Sequence, residues 1–269
     1  MTGDLYWEVQ GPAQGEAVLM CSGLGGSAGY WAAQVPMLLE AGYRVITYDQ
    51  RGTGRSQQPL PADYRIEHMV EDVLALLGHA GVARCHFVGH ALGGLVGLQL
   101  ALDHPERLAS LALINAWSEP NPHSARCFEA RLALLDHAGA RAYVEAQPIF
   151  LYPASWAAAH AQRVQGEVEH ALEHFPGAHN LKARIGALRG FNVAQRLGEI
   201  GVPTLISVAQ DDVLVPATCS AQLARGIARS RYHSVPHGAH AHNITQAEVF
   251  NPALLAFQQA HTPPLARRI

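Results

Sequence analysis

Continuous apolar runs and amphipathic stretches alternate along the first part of the chain. Leu5 to Val9 alternates as an edge strand does, whereas Ala17 to Cys21 is apolar throughout and suits a strand buried on both faces. Arg44 to Tyr48, the run from Cys85 to Val88 and Leu108 to Ile114 repeat the second pattern. Between them, Ile66, Met69, Val70, Val73, Leu76 and Leu77 fall on one stripe of a helix over residues 66–79. Further helices are predicted around Trp31, Val35, Leu38 and Leu39, and from Leu92 to Leu102. Right-handed crossovers turn this order into an α/β fold, a mostly parallel central sheet with helices on both faces.

The rhythm changes at Ser118. Helices are predicted over 126–135, 140–147, 156–174 and 180–188, broken at Pro148, Pro153 and Pro176, with no strand among them. Residues 118–195 therefore read as an all-helical cap inserted into a core made of 1–117 and 196–269. A strand over 203–208, a helix over 218–227, a strand over 231–235 and a helix over 247–260 complete that core. The tail from Thr262, with Pro263 and Pro264, is expected to fray.

Glycine clusters follow several of the strands, where a parallel sheet binds its ligands. Gly89-His90-Ala91-Leu92-Gly93 has the frame of the nucleophile elbow G-x-S-x-G, in which glycines remove Cβ atoms that would clash at a sharp strand-to-helix turn. Ala91 occupies the nucleophile's place, and a methyl group cannot attack a carbonyl. Ser22-Gly23-Leu24-Gly25-Gly26-Ser27 can turn backbone N–H groups into a cavity, and Asp49 and Arg51 are expected to pair and pin the next loop beside it. Two later loops carry Asp211 and Asp212, then His237, His240 and His242.

Composition narrows the function. The 269 residues fit one large domain with an insertion. With 19 basic and 22 acidic side chains, no field strong enough for nucleic acid or an anionic membrane is expected. No membrane span or signal peptide is read, so a cytoplasmic protein acting on a small molecule is expected, with monomer and homodimer both open. Cys21, Cys85, Cys127 and Cys219 are scattered and read as small core residues. Sixteen histidines are an excess, yet acidic ligands are missing beside the C-terminal group, and neither metal nor cofactor is expected.

Elbow, acid and histidine come in the chain order of a hydrolase triad, and the chain resembles the α/β-hydrolase family over nearly its whole length. The family's G-x-x-D-x-x-x-P pattern, with Ala209 for its glycine, selects Asp212 over Asp211 as the acid. The register of Ile244, Glu248, Val249 and Phe250 selects His240 as the base, with His237 and His242 as alternatives. The resemblance also implies oxyanion donors at the Leu24 and Leu92 N–H groups. The elbow, Asp49 to Gly54, Val144 to Pro153 and His240 to Thr245 together look like the branch of the family that serves uracil breakdown. That branch implies hydrolysis of carbamate to ammonia and bicarbonate by His240 and Asp212 without a serine, or action on aminoacrylate. Two other readings remain open on sequence: a serine esterase or lactonase inactivated by a Ser-to-Ala change, and a non-catalytic small-ligand module. An anionic substrate also calls for a cation. Arg126, Arg131, Lys182, Arg184 and Arg189 are available in the cap, but each is expected to be a solvated helix residue, and Trp117 and Trp156 are expected to pack rather than line a site.

Overall fold

The computed structural model describes residues 5–262. Among these residues seven strands run β1 (Trp7–Gln10), β2 (Ala17–Cys21), β3 (Arg44–Tyr48), β4 (Cys85–His90), β5 (Leu108–Ile114), β6 (Thr204–Ala209) and β7 (Ser230–Val235). They form one sheet in the order β1-β3-β2-β4-β5-β6-β7. Every pairing is parallel except β1 with β3. The chain sense of the apolar runs explains the burial. β2, β4, β5 and β6 are buried at every position, while the edge strands β1 and β7 are largely exposed or half-buried.

Alternate side chains of each strand feed two cores. Leu19, Cys21, Phe87 and Leu111 point to the face covered by α2 (Ile66–His79), α3 (Leu92–Asp103) and α9 (Ala217–Gly226). Val18, Met20, Val88 and Ala112 point to the other, against α1 (Val35–Glu40) and α11 (Ala247–Gln259). Each Leu, Phe, Val or Met among them, fully buried, stabilises the fold by about 1.5–3 kcal/mol. The helix expected around Trp31 divides: Ala28–Trp31 is a 3₁₀ turn capped by the Ser27 side chain, and α1 starts only at Val35, with Pro36 in its first turn.

Between β5 and β6 the described chain is helical: α4 (Pro122–Glu145), α5 (Gln147–Leu151), α6 (Ala154–Ala159), α7 (Ala161–Glu173) and α8 (Gly177–Gly190). The Asn121 side chain caps α4 by accepting from the His123 and Ser124 N–H groups, with Pro122 in the first turn. The two helices predicted over 126–147 are thus α4, broken where Gly139 takes φ 87°. The single helix predicted over 156–174 is divided at His160, whose ψ of 30° is not helical. Pro148, Pro153 and Pro176 sit at helix starts, where a missing N–H is harmless. A helix α10 (His242–Thr245) follows the last loop. The fraying expected beyond Thr262 falls outside the described residues.

Candidate active site

The elbow keeps its geometry without a serine. Ala91 stands at φ 47°, ψ −112°, a conformation non-glycine residues rarely adopt, and its N–H donates to the Ile114 carbonyl at 2.8 Å. The flanking glycines are required by close approach: a Cβ on Gly89 would lie 2.4 Å from the Gly93 carbonyl oxygen, and one on Gly93 would lie 2.0 Å from that of Cys21. Further along α3, a Cβ on Gly97 would meet Leu111 at 2.8 Å, which is why this helix tolerates glycine against the sheet.

The loops after β6 and β7 bring Asp212 and His240 together. His240 Nδ1 donates to Asp212 Oδ2 at 2.7 Å, and both side chains are buried. Asp212 Oδ1 accepts from the Leu214 and Val215 N–H groups at 2.8 and 2.9 Å, so the carboxylate's direction is fixed by backbone. The proton on Nδ1 leaves Nε2 as the basic nitrogen, on a ring that lines the cavity. The alternatives lie elsewhere. The His237 side chain is exposed, 4.0 Å from Asp211, and His242 is buried against Ser207, pushed down to about 3 by burial.

Residues that the sequence left idle hold this pair in place. Asp211 accepts from the Gly238 and Ala239 N–H groups at 3.2 and 2.8 Å, which fixes Ala239 at φ 56° beside the histidine. The His240 carbonyl accepts from Asn115 Nδ2 at 2.7 Å and from His90 Nε2 at 2.8 Å. His90 packs between Tyr30 and His240, each ring 4.8 Å away, and burial, with His240 beside it, keeps its imidazole well below the usual range. Asp211 had a visible signal in its place beside Asp212. Asn115 and His90 had only their positions at strand ends.

Leu24 and Leu92 also converge on the cavity, and neither N–H has a hydrogen-bond partner among the described residues. The Leu24 loop is held from the cap. Arg184 of α8, fully buried, donates to the Leu24 carbonyl at 3.2 Å, to the Arg51 carbonyl at 3.2 Å and to Gln50 Oε1 at 2.6 Å. Gln50 in turn donates to the Ser22 carbonyl at 2.6 Å. Burial lowers the Arg184 pKa. The expected pairing of Asp49 with Arg51 is not made: Asp49 takes Arg55 and the Ala28 N–H, and Arg51 takes Asp72. The loop is still pinned beside the first one, through Ala28. Burial alone would raise the Asp49 carboxyl, but its bonds to Arg55 and Ala28 outweigh that and lower it.

The cap cations also divide. Arg126 is exposed, and Lys182 and Arg189 are exposed in ion pairs with Asp136 and Glu129. Arg131 and Arg184, contrary to expectation, are buried because α4 and α8 turn them inward. The cavity encloses about 860 Å³, and Trp117 is part of its wall. Trp156 instead stacks on His160. The free cysteines Cys21, Cys85 and Cys219 are buried, with Cys127 partly so. Among the described residues, the exposed His170 and Glu173 of α7 and His174 just beyond it are the group whose donor atoms lie within metal-binding reach of one another. No described helix is long and apolar enough to cross a membrane.

The family described as alpha/beta hydrolase fold matches residues 16–247. A protein of Variovorax paradoxus (strain S110), which bears the provisional name carbamate hydrolase RutD, is 64% identical over 253 residues, 94% of this chain and 95% of that one. A protein of the same name from Agrobacterium fabrum (strain C58 / ATCC 33970) is 46% identical over 255 residues, covering 94% and 97%. Among solved structures, a hydrolase from Pseudomonas aeruginosa PA01 superposes with a TM-score of 0.85 at 27% identity, covering 96% of this chain and 99% of that one. The enol-lactonase from Burkholderia xenovorans LB400 gives 0.86 at 25% identity, covering 95% and 96%. The chain belongs to the α/β-hydrolase family and, within it, to the RutD group.

Proposed function

We propose that this protein hydrolyses carbamate to ammonia and bicarbonate in the cytoplasm, as a step in nitrogen release from pyrimidines, without metal, cofactor or serine nucleophile. The observation that carries the reading is a bonded Asp212–His240 pair facing a cavity whose elbow presents Ala91. A water molecule over Ala91 attacks the carbamate carbon while His240 Nε2 takes its proton. Asp212 holds the ring and stabilises the imidazolium that forms. The Leu24 and Leu92 N–H groups receive the oxygen on which charge develops. As the C–N bond breaks, His240 returns the proton to nitrogen, so carbamate and water leave as ammonia and bicarbonate.

The magnitudes favour a labile substrate. Losing the nucleophile of a serine hydrolase costs about 10⁶-fold, and ~10³–10⁴-fold over water survives through the oxyanion hole and binding. Carbamate decays by itself, so an acceleration of that size is sufficient. The retained pair speaks against a binding module, which has no use for an acid–base couple. The test is ammonia release from freshly dissolved carbamate with and without protein. Faster release supports the reading; equal rates overturn it.

A further inference from the structure

Arg131 presents a second polar feature in the same cavity. Its side chain is 4% exposed, on α4, and lines the cavity wall. One edge of the guanidinium is occupied: Nη2 donates to the Tyr143 hydroxyl at 2.9 Å and to Gln147 Oε1 at 2.5 Å. The charge sits over the Phe128, Tyr143 and Phe150 rings, 5.1–5.4 Å from their centroids. Its Nε–H is buried and has no partner, and no carboxylate lies within salt-bridge distance of it among the described residues. A buried cation with an unfilled donor and no counter-charge is a site for an anion, since isolated charges away from water are strongly disfavoured.

Arg131 is coupled to the base through one short helix. Gln147, which receives Arg131, begins α5, and Leu151, which accepts the Ala241 N–H at 3.0 Å, ends it. Four residue steps of helix span about 6 Å, so the anion site and the His240 loop are two ends of one rigid element. The rest of the cavity is too large for carbamate. At about 30 Å³ for each of its four heavy atoms, carbamate fills on the order of a tenth of the volume. Most of the remaining wall is apolar, with Trp117, Phe128, Leu181 and Leu188 among its residues, while Arg55, Arg163 and Glu167 also reach it.

We infer that Arg131 anchors the carboxylate of an organic monocarboxylate, whose apolar body lies against this wall and which is larger than carbamate. The head takes the Nη1 end of the guanidinium, which makes no hydrogen bond among the described residues, in a charge-assisted bond apart from the Leu24 and Leu92 donors. The inference shares the cavity with the proposed reaction but needs no turnover, so binding and ammonia release succeed or fail separately. Benzoate and its neutral counterpart benzamide test it by titration calorimetry at fixed ionic strength. Wild-type protein should bind benzoate at least about tenfold more tightly than benzamide. Arg131→Met should lose that preference while leaving benzamide affinity unchanged. Arg131→Lys, which keeps charge but not the fork, should fall between them, and it decides the matter if the methionine variant does not fold. Equal binding of the two ligands, binding of neither, or a preference that persists in the Arg131 variants would overturn the inference.

Discussion

The elbow and the cap both deliver polar groups to the cavity, by opposite means. At the elbow the groups are backbone. Helix α3 approaches strand β4 at Gly89 and the end of strand β2 at Gly93 so closely that only glycine fits at either place, and the Leu92 N–H is presented because the chain turns there. In the cap the groups are long cationic side chains. Arg131 reaches the cavity from α4 with its charge among rings, and Arg184 reaches inward from α8 to hold the Leu24 loop by its carbonyl oxygen. The first device is stiff and admits almost no substitution. The second depends on how an inserted set of helices docks, and is where one branch of a fold family can differ from another.

Substitutions at the two places should separate these devices. Gly93→Ala drives a methyl carbon into the Cys21 carbonyl, and we expect a loss above about 4 kcal/mol in urea denaturation, or no soluble protein. A stable Gly93→Ala protein would mean that the turn is softer than its geometry. Arg184→Met should follow at about 2–4 kcal/mol by the same measurement, because the Leu24 carbonyl and Gln50 Oε1 are left buried without their donor. A change near zero would show that the cap does not hold the Leu24 loop. Ala91→Gly should matter least. Glycine accepts φ 47° freely but loses more entropy on folding, so stability should move by no more than about 1 kcal/mol. Carbamate turnover should stay within about threefold, since no side chain attacks at this position.

The difference between the regions also explains what was legible in the sequence. The mostly parallel sheet, the elbow and the loops carrying Asp212 and His240 follow from apolar runs and from glycines whose spacing is dictated by local backbone geometry, but the order of the strands does not. The cap's helical character is legible, and so is the interruption at Gly139 between two expected helices, but not the break at His160. Arg131 and Arg184 looked like solvated helix residues because inward rotation is decided by docking, not by the residue's neighbours in sequence. The exchange of partners around Asp49 and Arg51 has the same origin: Arg55 and Asp72 lie within reach only once the loop is folded. Asn115, whose φ of 48° carries its amide to the His240 carbonyl, gave no signal, because a single asparagine after a strand has many uses.

The central claim is that His240, oriented by Asp212, performs acid–base chemistry over an elbow that has no nucleophile. The most direct measurement is a time course of ammonia release from carbamate with wild-type protein and with His240→Ala, each corrected for spontaneous decay. The account predicts that the variant loses about 10²–10⁴-fold, down to the uncatalysed rate, while remaining folded. A variant that releases ammonia as fast as the wild type would contradict it.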